Sequence, residues 1–212
     1  LSLHSKEHLD LIIEKSTHLE QSNLDADTVV SRDSLPAALY GIGAIKQAID
    51  LVVSNEAKNA FCATRPPGHH AERNKAMGFC IFGNVAIGAK YALSHKSIRK
   101  VAILDFDVHH GNGTQNLIWN EKNIFFISSH QMPLFPGSGY SDETGAFNNI
   151  LNVPLKSGTD GSHYLKVMDE IILPKIENFS PDIILLSAGF DAHKNDPLAN
   201  LNWLSEDYYK IT

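Results

Sequence analysis

The stretch Val101-Ala102-Ile103-Leu104-Asp105-Phe106-Asp107-Val108-His109-His110-Gly111-Asn112-Gly113 decides how this chain is read. Its first four residues form a continuous apolar run of the kind found in strands buried on both faces. Such strands belong to parallel sheets covered by helices, and sites collect at the carboxyl ends of those strands. Alternation along a strand sends Asp105, Asp107 and His109 to one side. Crowding two carboxylates and an imidazole together is costly unless a cation neutralises them, so the pattern points to a metal site. Taken alone, the run also fits a strand-to-helix loop capped by Asp and Asn.

Working outward, short β-branched or aromatic runs alternate with helical patterns. Ala60 to Thr64, Val101 to Phe106, Ile124 to Ser128, Ile150 to Val153 and Asp182 to Ser187 read as strands. Ser34 to Val53, Phe82 to Ser94, Asn112 to Trp119 and Ser162 to Phe179 carry apolar residues at helical spacing, with Ser34 and Ser162 as N-caps. Repeated strand-helix units imply an α/β fold: three layers, α/β/α, around a mainly parallel sheet. Residues 1–212 fit one large domain better than two. The long loops 65–78, 131–149 and 189–202 exceed what a connection needs and are the places to look for function.

Composition narrows the partners. With 43% hydrophobic and 20% charged residues, the chain of 212 residues can bury a full core. A formal charge of -6 argues against an extended polyanion-binding surface, so nucleic acid is not expected as a direct ligand. Cys62 and Cys80 are too few for a disulfide framework and have apolar neighbours in sequence, which predicts reduced, buried thiols. Continuous apolar runs such as Ile183 to Leu186 are far too short to span a membrane, and no targeting segment stands out. The expected location is cytoplasmic, without membrane attachment.

Two further loops carry chemistry. Arg65-Pro66-Pro67-Gly68-His69-His70 passes through two stiffening prolines and presents adjacent imidazoles, the side chains best poised to move protons near neutrality. Ser187-Ala188-Gly189-Phe190-Asp191-Ala192-His193 again puts an acidic residue at a strand's carboxyl end. Each alone has an ordinary reading, as a packed loop or a helix cap. Three such strand ends together make a much stronger pattern than any one of them.

These residues and their order resemble the zinc-dependent histone deacetylase family, together with its bacterial relatives acting on acetylated polyamines and other small amides. The resemblance runs from about Phe61 to Leu198, and Asn112 with the Arg-Pro-Pro-Gly-His-His stretch looks closer to the class II branch. It implies an arginase/deacetylase-like fold and hydrolysis of an N-acetyl group from an acetylated lysine peptide or a small acetylated amine.

Carried over by position, the resemblance makes Asp107, His109 and Asp191 the metal ligands, and His69 and His70 the catalytic pair beside the reacting water. It pairs His69 with Asp105 and His70 with Asn112. A nearby carboxylate favours the imidazolium, so His69 acts mainly electrostatically and His70 is the general base and later the acid. Gly78, Phe79 and Phe135 match the channel that grips the acyl-lysine stem. Asp105, Asp107, His109, Ser128 and Ser129 match a monovalent cation site, usually for potassium. Zinc suits a two-Asp, one-His set, as do iron(II) and cobalt. His110 and His193 receive no role.

One part of the family pattern is missing. The tyrosine that serves the oxyanion, in a glycine-rich loop, belongs beyond Thr212, and the usual initial strand belongs before Leu1, so a partial domain is expected. Tyr208 and Tyr209 follow Ser205-Glu206-Asp207, which looks like a helix start, and are not promoted to that role. Two rival readings remain: a non-catalytic acyl-lysine-binding domain, and a dimanganese ureohydrolase of the arginase type. The second would need a further bridging Asp beside Asp191.

Overall fold

The computed structural model describes residues 2–17 and 20–212. The chain divides into two compact units: Leu1–Ile98 with Asn112–Ile118, and Arg99–Gly111 with Trp119–Thr212.

The first unit is mainly helical. It holds α1 (Lys6–Thr17), a small antiparallel ribbon of β1 (Ser22–Asn23) and β2 (Val29–Val30), α2 (Ser34–Val53), α3 (Asn84–Ala92) and α4 (Asn112–Ile118). The helix α2 is, among the described residues, long and apolar enough by length and composition to cross a bilayer. Counting only continuous apolar runs overlooks it, because Lys46 and Asp50 interrupt the sequence without removing the apolar majority. Here it turns Ala38, Gly41, Ile42 and Ile49 into the interior of its unit. Its N-cap is Asp33 rather than Ser34, whose hydroxyl instead accepts from the Ser31 amide at 2.9 Å.

His4 and His8 tie α1 to the rest of this unit. Their rings stack at 4.7 Å; His4 Nδ1 bonds the Glu72 carbonyl at 3.0 Å, and His8 Nε2 bonds the Ile81 carbonyl at 2.9 Å. Neither α1 nor this pair was legible as a feature of the sequence.

The strand expected over Ala60 to Thr64 does not form. Those residues are exposed, Phe61 to the extent of 76%, and no described strand pairs with them. A β-prone run without a neighbour to complete its hydrogen-bond ladder stays an extended coil. Cys62 shares that exposure, so the expectation of two buried thiols holds for Cys80 alone.

The second unit is built on a four-stranded parallel sheet in the order β5-β4-β3-β6, with β3 Val101–Asp105, β4 Ile124–Gln131, β5 Ile150–Leu155 and β6 Ile183–Ser187. All five β3 residues and all eight of β4 are buried, which is why Val101 to Leu104 and Ile124 to Ile127 read as unbroken apolar runs, while the carboxyl ends of both strands turn polar. Helices α5 (Gly161–Val167), α6 (Leu173–Phe179) and α7 (Ser205–Ile211) complete the unit. Its core gathers Leu104, Phe106, Ile127, Tyr164, Ile172 and Trp203, with Tyr164 stacked on Trp203 at 4.1 Å.

The single helix expected from Ser162 to Phe179 is interrupted by a π-helical turn, Met168–Ile172. Pro174 follows at the start of α6; it lacks an N–H and its ring crowds the preceding turn, and the wider turn accommodates both. The N-cap of α5 is Asp160, whose carboxylate accepts the His163 amide at 2.8 Å, two residues before the Ser162 assigned from sequence.

Candidate metal centre and histidine pair

In the second unit β3 ends at Asp105, so strand alternation is not what brings Asp107 and His109 together. Turns in the following loop do it. The Asp107 amide donates to Asp105 Oδ1 at 3.2 Å, and the His109 amide donates to Asp107 Oδ1 at 2.8 Å. Each acidic side chain thereby fixes the backbone two residues on, a favoured local geometry for Asp. The Gln131 amide, on the Val108 carbonyl at 2.8 Å, holds the loop against β4.

Asp191 arrives from the loop after β6. Its Oδ1 accepts the Val108 amide at 2.9 Å and its Oδ2 faces His109 Nδ1 at 3.0 Å, while Asp107 Oδ1 faces the same nitrogen at 3.0 Å. One ligand atom from each of the three side chains lies within 4.8 Å of the others. Burial alone would lower the His109 pKa, but hydrogen bonds to Asp107 and Asp191 outweigh it and push it up to about 10. Burial first of all, and then the Asp107 charge, raises the Asp191 carboxyl. Two carboxylates converging on one imidazole nitrogen are a donor set for a cation, of the O and N type that borderline divalent metals accept. The three side chains keep 18% to 25% exposure, so the centre is reachable from solvent.

Glycines shape this centre. A Cβ on Gly189 would overlap the Asp107 carboxylate, and one on Gly111 would come within 2.5 Å of Asp105 Oδ2. Asp105 and Ser128 are fully buried register partners on β3 and β4, and the adjacent Ser129 is 1% exposed. The Ser128 hydroxyl pairs with His130 Nδ1 at 3.0 Å, and that of Ser129 with the Tyr164 hydroxyl at 2.8 Å. Phe135 is half-exposed, its ring 6.2 Å from that of His109. His110 is buried and bonded to Ser138 Oγ at 2.8 Å, while His193 Nδ1 accepts the Asn195 amide. Tyr208 packs on Phe106, Phe190 and Trp203 and is 6% exposed, its hydroxyl buried; Tyr209 is 85% exposed.

The first unit holds the histidine pair. His69 and His70 are buried, 8% and 4% exposed, with ring centroids 3.9 Å apart. The Thr114 amide donates to the His69 carbonyl at 3.0 Å, and the His70 amide points at Cys80 Sγ. Asn112 Oδ1 meets His70 Nδ1 at 2.7 Å. Gly78 and Phe79 both have positive φ, +56° and +65°, and their amides donate to Asp27 Oδ1 at 3.2 Å and Thr28 Oγ1 at 3.1 Å. That turn leaves the Phe79 ring 58% exposed. Asp27 and Thr28, which shape the turn, were missed from sequence, where nothing sets them apart from other polar loop residues. His69 and Asp105 fall in different units, and so do the histidine pair and the three acidic and imidazole groups above.

The family model described as the histone deacetylase domain matches residues 1–212. The uncharacterized protein slr0245 of Synechocystis is 45% identical over the whole chain, which covers 69% of that protein. A probable deacetylase of Archaeoglobus fulgidus is 38% identical, again over the whole chain, which spans 59% of it. Among solved structures, the HDA15 HD domain superposes with a TM-score of 0.94 at 36% identity, over 99% of this chain and 62% of that one.

Proposed function

This chain belongs to the histone deacetylase family and has its α/β fold, and on that premise we propose that it carries the catalytic core of a metal-dependent amidohydrolase that removes acetyl groups. The observation that carries the reading is the convergence of Asp107, His109 and Asp191. A divalent ion held there, zinc by preference and iron(II) or cobalt as alternatives, supplies Lewis acidity that polarises an amide carbonyl and makes a water more acidic.

The chain's own residues do the rest. His70 takes a proton from the attacking water at Nε2 and returns it to the departing amine. His69 acts mainly electrostatically, as positive charge beside the reacting water, the role the family resemblance gives it with Asp105 as its carboxylate. Asn112 orients His70. Gly78, Phe79 and Phe135 hold the acyl-bearing stem: the exposed aromatic rings of Phe79 and Phe135 suit an aliphatic chain. Asp105, Asp107, His109, Ser128 and Ser129 would hold a monovalent cation such as potassium, whose charge would offset that of the neighbouring carboxylates. The substrate is an acetylated lysine peptide or a small acetylated amine. We further propose a cytoplasmic setting, in which Cys62 and Cys80 remain reduced thiols.

The test uses the full-length protein. Elemental analysis should find about one equivalent of divalent metal, and Asp191→Ala should lose it together with turnover of acetyl-lysine peptide or acetylated polyamine. Two tightly held metals, or full turnover in the metal-free variant, would overturn the reading.

A further inference from the structure

Asn112 is held on three sides. Its Oδ1 lies 2.7 Å from His70 Nδ1, and its Nδ2 donates to Glu72 Oε1 at 2.7 Å and faces Met77 Sδ at 3.4 Å. A side-chain amide has one accepting end and one donating end, and its surroundings decide which way it points. A carboxylate can only accept, so Glu72 selects Nδ2 as the end that faces it. The thioether of Met77 is too weak an acceptor to make that choice alone.

The choice propagates. With Nδ2 committed to Glu72, Oδ1 must face His70, and an oxygen there can only accept. His70 Nδ1 is therefore the protonated nitrogen, and the lone pair of the neutral ring sits on Nε2. Were the amide reversed, its N–H would meet Nδ1, the ring proton would move to Nε2, and Asn112 Oδ1 would confront the Glu72 carboxylate.

Glu72 is itself fixed at the backbone. Its amide donates to the Lys75 carbonyl at 2.9 Å, and its carbonyl receives His4 Nδ1 at 3.0 Å, while His4 Nε2 accepts the Gly83 amide at 3.0 Å. The carboxylate thus projects from a chain segment tied down on both sides.

We propose that Glu72 is a positioning residue that acts through Asn112 to hold His70 as its Nδ1–H tautomer, keeping Nε2 as the proton-accepting nitrogen. The proposal rests on the reading of His70 as the proton-transfer group, and its test is arranged so that the two fail separately. Histidine-15N-labelled full-length protein is examined by NMR in the resting state, with the His70 signal identified by its loss in His70→Ala. The native protein should show the Nδ1–H form. Glu72→Leu should give a mixture with substantial Nε2–H and lower kcat by about 10- to 100-fold, the scale seen for outer hydrogen-bonded partners, with KM and metal content little changed. Glu72→Gln can still offer an oxygen to Asn112 and should retain more of the native tautomer and rate than Glu72→Leu.

Rescue gives the sharpest arm. Adding Asn112→Asp to Glu72→Leu puts an acceptor-only group directly against His70 and should restore the Nδ1–H tautomer without Glu72. A Glu72→Leu protein whose His70 remains wholly Nδ1–H, or a double variant that stays mixed, would overturn the proposal. A tautomer shift without loss of turnover would uphold it and remove His70 from proton transfer. If Glu72→Leu fails to fold, Glu72→Met, of similar length and with only a weak acceptor, decides by the same spectrum: a drift toward Nε2–H supports the proposal and an unmoved native tautomer overturns it.

Discussion

Gly78 lies so close to His70 that a Cβ added to it would overlap the imidazole at Cδ2. The same glycine sits at φ +56°, where a side chain carries roughly 1–2 kcal/mol of strain. Two penalties therefore fall on one residue. Gly78→Ala should lower the thermal midpoint by several degrees and cut kcat/KM sharply, because the ring it displaces is the proposed base. Differential scanning calorimetry with acetyl-lysine turnover would test this, and a variant matching the parent in both would show that the loop can reroute.

His70 and His69 should not be equivalent. Asn112 meets His70 with a neutral oxygen, and the family resemblance gives His69 a carboxylate. In the full-length protein, His70→Ala should lower kcat by at least ~10² while leaving metal content intact, the usual scale for losing a general acid-base group. Near-normal turnover on an unactivated acetyl-lysine peptide would remove His70 from that role.

Stability should fall in acid because of His4. Burial, and then the neighbouring His8, depress its pKa to about 4, and the Gly83 amide occupies the nitrogen that a proton would need. The folded value lies below the ordinary 6.5, so the unfolded chain binds the proton more readily. The stabilisation is complete above pH 6.5 and is lost as pH falls from there toward 4. The loss is roughly 3 kcal/mol at most for a shift of this size. Urea unfolding at pH 7.5 and 5 should show it, and His4→Gln should flatten the dependence over that interval. An unchanged slope in the variant would mean that other groups carry the acid sensitivity.

On β6, Ile184 and Leu186 are 48% and 43% exposed on one face, and beyond β6 the sheet has no further described strand. An apolar strand with an unpaired edge recruits other strands. The 212-residue chain should self-associate at micromolar concentrations, and Ile184→Thr with Leu186→Thr should reduce light scattering without altering the circular dichroism spectrum. Equal scattering from both proteins would place the sticky surface elsewhere.

The parallel sheet was legible because β3 and β4 are buried on both faces and so carry uninterrupted apolar runs. Asp107, His109 and Asp191 were legible from their positions after such runs, although turns rather than strand alternation bring them together. Ala60 to Thr64 misled because composition records a preference for strand without recording whether a partner is present. Glu72 was invisible for another reason: its importance lies in an amide forty residues away, and one sequence says nothing of which carboxylate that amide will meet. The interruption at Met168–Ile172 could have been suspected from Pro174 inside a helical pattern.

β3, flanked on both edges by β4 and β6, has an effect on how the protein can vary. Asp107 and His109 follow directly on β3, an interior strand of the sheet, and Asp191 follows its neighbour β6, while Phe135 lies in the separate loop after β4. Amides of β3 should be among the last to exchange with deuterated water, because releasing them means parting two ladders at once. Changes in the loop can then reshape what enters without loosening what reacts, so substrate range can drift under selection while the chemistry stays anchored.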